Sequence, residues 1–254
     1  MNYMDTLKEK LKNQDKLYST MLCHIGFTGL PAIYKAGGMD FLVMDCEHGS
    51  FCPENIGDFT QMCHQVELPV IVRVQDCEYH CISKPLDMGA DGVLIPRTET
   101  LEQVETAISS MRFYPYGKKG VGGRHLLRKG EQIYDFNENR LLFLQIESTQ
   151  GVELLDEILT KYGDQIAGLI IGPCDMAVSM GCGLDLNCEP MIANIEKTIS
   201  VCKKHGKSIG MFMDDDTVAE RWHNRGMNIY WIGTELTMLS AEINRNKRRI
   251  EEFK

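Results

Sequence analysis

What this chain lacks bounds it closely. No run approaches the roughly 18 continuous apolar residues of a membrane-spanning helix, so no span is expected. The opening stretch MNYMDTLKEKLKNQ is charged and amphipathic, with none of the apolar core of a signal peptide, and a cytoplasmic protein is expected. Basic charge is in the minority. With 27 Lys and Arg against 36 Asp and Glu, the net charge of −9 argues against a nucleic-acid groove or an anionic membrane surface as partner. Ten cysteines are present, yet there is no Cys-x-x-Cys, and Cys23, Cys46 and Cys202 fall within apolar patterns. In a cytosolic chain such residues are expected to stay reduced and to pack as small hydrophobes. The group Cys77, His80 and Cys81 comes nearest to a metal-like spacing. No G-x-G-x-x-G follows an early strand, which weighs against a doubly wound dinucleotide fold. No lysine falls inside an expected strand, and an imine-forming enzyme needs a buried amine of lowered pKa.

What is present is a repeated alternation. Leu141–Ile146 and Gly168–Ile171 are apolar runs too short for globular helices and bounded by turn residues, so both read as buried strands. Between them Val152, Leu154, Leu155, Ile158 and Leu159 recur at helical spacing, stopped by Gly163. Strand-like runs also occur at Ser19–Ile25, Phe41–Met44, Val70–Val74, Gly92–Ile95, Ser208–Met213 and Ile229–Ile232, after an opening helix from Tyr3 to Gln14. Helical stretches separate them, and the joints KAGGMDF, DMGADGV and NRGMNIY each lead from a glycine stop into a strand. Eight alternations in 254 residues point to one α/β domain spanning 1–254, a closed (β/α)₈ barrel with an extra N-terminal helix. The long glycine-rich, basic segment Arg112–Glu138 is expected on the carboxyl side of the barrel, as a lid, a binding loop or a subunit contact.

In such a barrel the strands' carboxyl ends build the site. They deliver His24, then Asp45, Cys46, Glu47 and His48, then Arg73, Arg97, Gln145 and Glu147, then Gly172 to Asp175, Asp214 to Asp216, and Thr234 with Glu235. Glu147 and Asp175, ending neighbouring strands, are placed to grip one hard cation, although Glu147 alone would serve as well as a helix cap. Asp45 and His48 flank Glu47 in a turn, where a His–Asp hydrogen bond would orient the ring and favour its protonated form; an ordinary surface histidine fits the spacing equally. Arg73 ends the apolar run VIVRV, and a buried guanidinium demands an anion, either a ligand or a barrel acid. The Asp214–Asp216 run suits a helix start and receives no catalytic role.

MDFLVMDCEHGSF, LPVIVRV, LDMGADGVLIPRTET, RFYPYGKKGVGG, QIES and GLIIGPCDMAVSMG follow, in order, the motifs of the HpcH/HpaI aldolases, and the chain resembles this family from about Thr20 to Leu239. The resemblance implies a (β/α)₈ fold and a class II pyruvate aldolase that makes or cleaves 4-hydroxy-2-oxoacids from pyruvate and an aldehyde. It implies a divalent cation, Mg²⁺ or Mn²⁺ first with Co²⁺ or Zn²⁺ as alternatives, and a homo-oligomer, a hexamer of swapped dimers. Carried over by position, Glu147 and Asp175 become the metal ligands, Arg73 the enolate stabiliser, and His48 with Asp45 the proton-transfer pair. Asp87 resembles an acid reaching a neighbouring subunit's site. Gly172 and the amides of Cys174 and Asp175 would hold the pyruvate carboxylate, with Gln145 flanking the metal shell. The chain departs from the family pattern at Gln75, Tyr116, Lys118 and GPCDM, where the aldehyde is handled rather than the pyruvate. Two rivals remain: a citramalyl- or malyl-CoA-type lyase, and an idle barrel that senses an organic acid.

Overall fold

The computed structural model describes residues 2–123, 125–213 and 216–253. Its eight parallel strands close in sequence order into a barrel. They are β1 Leu17–Leu22, β2 Phe41–Asp45, β3 Val70–Arg73, β4 Gly92–Ile95, β5 Leu141–Ile146, β6 Gly168–Ile171, β7 Ser208–Met213 and β8 Ile229–Thr234. The helices are α1 Tyr3–Asn13, α2 Leu30–Ala36, α3 Pro53–Gln65, α4 Tyr79–Asp87, α5 Leu101–Met111, α6 Phe136–Asn139, α7 Thr149–Tyr162, α8 Pro173–Ser179, α9 Glu189–Lys204, α10 Asp216–Arg225 and α11 Glu235–Glu251. Asp214 and Asp215, two of the acids expected after β7, lie outside the described residues.

Side chains alternate in and out along each strand, and this parity decides what fills the lumen. Inward positions carry Leu17, Phe41, Val43, Ile71, Leu94, Phe143, Ile170, Ile229 and Trp231, which form one buried cluster with Met4, Leu7 and Leu11 of α1. α1 therefore plugs the amino end; an Asn2 capping box starts it, with the Asn2 side chain accepting from the amides of Met4 and Asp5. Outward positions such as Leu42, Val72, Val93, Leu144 and Leu169 pack against the surrounding helices in a larger core. At the carboxyl end the same inward parity changes from apolar to polar, as Phe41, Val43, Asp45 on β2 and Ile71, Arg73 on β3, with Asp45 in register with Arg73.

Three features differ from expectation. The segment after α5 lies at the amino end of the barrel, not on the carboxyl side. α5 runs back along the barrel before the segment begins, so an α-to-β connection must close at the amino end. There Lys119 is buried in an ion pair with Asp87, and Arg128 pairs with Asp91, immediately before β4. Together with α1 and α3 the segment encloses a polar cavity of about 610 Å³ lined by Tyr3, His64, His125 and Arg128. The cysteines are not all reduced: Cys182 and Cys188 form a disulfide with Cα atoms 6.6 Å apart. Finally, the last helix, for which the sequence predicts Met238–Glu252, starts three residues earlier as α11 at Glu235 and leaves Leu236, Leu239, Ile243 and Ile250 exposed. Among the described residues no helix is long and apolar enough to cross a membrane.

Candidate active site

Four buried polar side chains meet at the carboxyl ends of β2, β3 and β5: Asp45, Arg73, Gln145 and Glu147. Arg73 is gripped by two acids. Its Nε and Nη2 donate to the two oxygens of Asp45, each at 2.8 Å, and its Nη1 lies 3.1 Å from Glu47 Oε2. Asp45 also accepts from the backbone N–H groups of Glu47 and His48, at 3.0 and 3.3 Å. Burial pushes the Asp45 carboxyl upward, but the Arg73 hydrogen bonds and charge outweigh it and hold the group below its ordinary range. A bidentate guanidinium–carboxylate pair fixes the plane of the guanidinium while leaving N–H directions over for a ligand oxygen.

This geometry corrects the expected His–Asp pair. Asp45 is engaged by Arg73, and the exposed His48 ring points instead toward Glu47, with Nε2 3.9 Å from Oε2. Only the backbone of His48 touches Asp45. Glu47, which the sequence placed at this turn without a role, is central. It bridges Arg73 and Arg97, whose Nε lies 3.3 Å from Glu47 Oε1. Parity was the signal that could have found it, since Glu47 is two residues beyond the inward Asp45. Burial raises its carboxyl, partly offset by Arg73, His48 and Arg97.

Glu147 follows β5 and is held in three ways. The Arg97 N–H donates to Oε1 at 2.6 Å, and Gln145 Nε2 donates to Oε2 at 2.5 Å. Gly172, at the end of β6, leaves the space it needs: a Cβ there would lie 2.2 Å from Glu147 Oε2 and 2.7 Å from Gln145 Nε2. Arg97 reaches the carboxylate from a left-handed backbone, φ +48°, which is sparsely populated outside glycine, asparagine and aspartate. Gln103 secures that turn, accepting from the amides of Glu99 and Thr100 and donating to the Arg97 carbonyl at 3.0 Å. Burial pushes Glu147 up to about 7, aided by the negative charges of Glu47 and Asp175 against the hydrogen bonds from Arg97 and Gln145. Asp175 is exposed in the first turn of α8, next to the exposed Cys174.

A hard cation fits these residues. Glu147 and Asp175 offer oxygen donors, their mutual repulsion is relieved by positive charge, and Gln145 Oε1 is buried beside them without a hydrogen-bond partner. Among the described residues no three His, Cys, Asp or Glu side chains are grouped as a ready-made cage. Two carboxylates alone would leave a cation positions to be filled by other oxygen donors.

The remaining candidates are not in this cluster. Asp87 ends α4 at the amino end of the barrel and pairs with Lys119 of its own chain. His24 is exposed and lines a cavity of about 190 Å³ with Ser50, Phe51 and Asp58. Glu235 is buried, and its carboxylate accepts from the amides of Cys23, His24 and Ile25 at 2.6–3.0 Å, tying α11 to the end of β1.

A closed parallel barrel with acids and arginines converging at its carboxyl ends defines an enzyme scaffold, and the comparisons give its class. The model of the HpcH/HpaI aldolase/citrate lyase family matches residues 30–241, and the chain belongs to this family. Hydroxypyruvate/pyruvate aldolase of Roseovarius nubinhibens is 29% identical over 243 residues, covering 93% of either chain. 5-Keto-4-deoxy-D-glucarate aldolase of Escherichia coli is 30% identical over 206 residues, 78% of either chain. The crystal structure of an HpcH/HpaI aldolase from Desulfitobacterium hafniense superposes with a TM-score of 0.87 at 25% identity, covering 98% of this chain and 97% of that one. The protein is a carbon–carbon lyase of the aldolase type.

Proposed function

We propose that the chain is a metal-assisted pyruvate aldolase that forms and cleaves 4-hydroxy-2-oxoacids through a pyruvate enolate. The observation that carries this reading is the buried trio Arg73, Gln145 and Glu147, two polar hydrogen-bonding groups and a carboxylate whose charge is unfavourable until a cation arrives. Glu147 and Asp175 would hold the cation, with Mg²⁺ or Mn²⁺ the first choices for an all-oxygen donor set. When bound, it supplies Lewis-acid polarisation of the 2-oxoacid.

The chain's own groups then have distinct tasks. Gly172 and the amides of Cys174 and Asp175, at the start of α8, would receive the substrate carboxylate. Arg73, held in one plane by Asp45, aims positive charge where the enolate oxygen develops, and costs no reorganisation at that moment. His48, near Glu47 and exposed to the mouth, would move the methyl proton through a water. Names of relatives support the pyruvate half, since one is a hydroxypyruvate/pyruvate aldolase.

We further propose a homo-oligomer, a hexamer of swapped dimers on the family's pattern. α11 supports it: among its described residues Glu235 alone is buried, and Leu236, Leu239, Ile243 and Ile250 lack a covering element. Asp87 and the Arg112–Glu138 segment, at the end of the barrel opposite their own site, would then meet a neighbour's site. Light scattering reporting an active monomer would remove this part.

The test of the chemistry needs no aldehyde. Pyruvate in D₂O should exchange its methyl protons, followed by proton NMR, only with enzyme and cation together. EDTA should stop the exchange, and borohydride should trap no adduct. Arg73→Lys should slow it by a factor of about 10²–10³, roughly 3–4 kcal/mol, because a point charge does not reproduce the planar guanidinium. Enzyme loaded with metal and pyruvate that shows only the buffer rate would refute the reading.

A further inference from the structure

The mouth of the barrel is acidic, with Glu47, Asp76 and Asp175 around the buried Glu147, so an electrophile bearing a carboxylate would approach against repulsion. Two guanidiniums oppose this field: Arg73, buried against Asp45 and Glu47, and Arg97 at the exposed rim. The Arg97 side chain is 55% exposed, with Nε 3.3 Å from Glu47 Oε1, Nη2 3.5 Å from the Gln75 carbonyl and 3.8 Å from Asp76 Oδ1. These contacts hold it at the mouth on one edge while more than half of it faces solvent. It stands in a fixed relation to the reacting centre on two counts. Its own N–H binds Glu147, and Glu47 presents one oxygen to Arg97 and the other to Arg73, so the two guanidiniums lie on opposite oxygens of a single carboxylate.

We propose that Arg97 is a specificity-determining residue that selects aldehydes carrying a carboxylate on the far end of their chain. This role presupposes the enolate reading above and adds the class of electrophile. The step itself is a redox-neutral addition. The enolate C=C pair forms the bond to the aldehyde carbonyl carbon as the enolate oxygen regains its C=O, the aldehyde π pair moves to oxygen, and that oxygen takes the proton removed earlier from the pyruvate methyl. An aldehyde meeting the enolate near Arg73 extends its tail toward the mouth, where Arg97 offers a planar fork to a terminal carboxylate. The Gln75 carbonyl, 3.5 Å from Nη2, braces the guanidinium at this rim.

The experiment compares 5-oxopentanoate with its methyl ester, which has the same chain and no charge, as acceptors for pyruvate with Mg²⁺. Wild-type enzyme should favour the anion by about 10- to 100-fold in kcat/KM, the range for a hydrogen bond to a charged group. Added salt should weaken that preference. Arg97→Asn, chosen because asparagine tolerates a positive φ, should bring the ratio near one, chiefly through KM, and abolish the salt effect. Any disturbance of Glu147 through the backbone lowers both aldehydes and divides out of the ratio. Arg97→Lys should keep part of the preference. A ratio unmoved in Arg97→Asn, or parallel loss on both aldehydes, would overturn the proposal while pyruvate exchange in D₂O persists. Absence of that exchange in wild-type enzyme would instead overturn the enolate reading, and this role with it.

Discussion

Asp91 and Glu147, buried carboxylates at opposite ends of one barrel, are held in opposite ways. At the amino end Asp91 is fully buried, and His64 Nε2 lies 3.2 Å from each of its oxygens, Arg128 Nε donates to it at 2.9 Å, and the Val70 amide donates at 2.9 Å. Burial alone would raise it, but Arg128 and His64 more than compensate and hold it at about 2. Glu131 is similarly held at about 2, against burial, by Arg140 at 2.8 Å. At the carboxyl end Asp45, Glu47, Glu147 and Asp175 share two guanidiniums, and Glu147 rises to about 7. The lesson is one of division of labour. Charge is compensated within the chain where it only has to hold the fold, and left in deficit where something must bind.

The sharpest way to break this comparison is to neutralise the deficit. Glu147→Gln and Asp175→Asn should each lower pyruvate exchange by about 10³-fold or more and weaken Mg²⁺ binding in calorimetry. Thermal melting of the metal-free variants should not fall, because each change removes a charge in a repulsive cluster. A variant that unfolds would show that the carboxyl end stabilises the barrel, and the contrast would fail.

At the compensated end the outcome reverses. Asp91→Asn removes the buried charge that Arg128 and His64 pair with and should cost about 3–5 kcal/mol in denaturant melts. Turnover per folded molecule should stay within about twofold. Leu7→Ala, in the plug formed by α1, should cost about 2–3 kcal/mol, since it opens a cavity in the buried cluster that also holds Phe41 and Phe143. If Leu7→Ala slowed exchange more than it lowered the melting temperature, the ends would be coupled through the lumen.

Much of the barrel was legible in the sequence, though this contrast was not. Strands β4 to β7 begin and end where the apolar runs do, because each run is short, largely buried and closed by glycine, proline or a polar residue. β1 is displaced to Leu17–Leu22, since its amino half includes the exposed Tyr18 and gave no continuous apolar signal. α8 was hidden because it has seven residues and opens on Pro173 out of a turn. The side of the barrel on which Arg112–Glu138 lies was misjudged for a topological reason, as α5 had already returned the chain to the amino end. At the site, Arg73 and Glu147 could be named from strand ends, whereas the partners of Asp45 could not. Spacing offered His48, but only the β2–β3 register, Asp45 opposite Arg73, decides the pairing. The Arg97 N–H on Glu147 is a backbone contact across 50 residues and leaves no mark on residue type. The Cys182–Cys188 disulfide escaped because a six-residue separation matches no metal or redox motif.

The most graded effect, and the one that tests both ends at once, is the pH dependence of the metal-free protein. Glu147 has its folded pKa raised from the ordinary 4.5 to about 7. Its stabilising contribution, as the protonated form, is therefore complete below about 4.5 and is lost as pH rises through 7. Asp91 is lowered from 3.8 to about 2, so its contribution is present above 3.8 and is lost as pH falls through 2. Between pH 7 and 4.5 metal-free enzyme should gain stability from Glu147, by no more than about 3 kcal/mol, and below 3.8 it should lose it through Asp91. Subtracting the melting curve of Glu147→Gln from that of the wild type removes every other group and leaves a difference that declines from pH 4.5 to 8. Adding Mg²⁺ should reverse that slope, because the cation requires the ionised carboxylate and competes with its proton. Affinity should then fall about tenfold for each pH unit below 7. A wild-type minus Glu147→Gln difference that stays flat across this range would mean that Glu147 is already compensated, and that the two ends of the barrel do not differ in the way described.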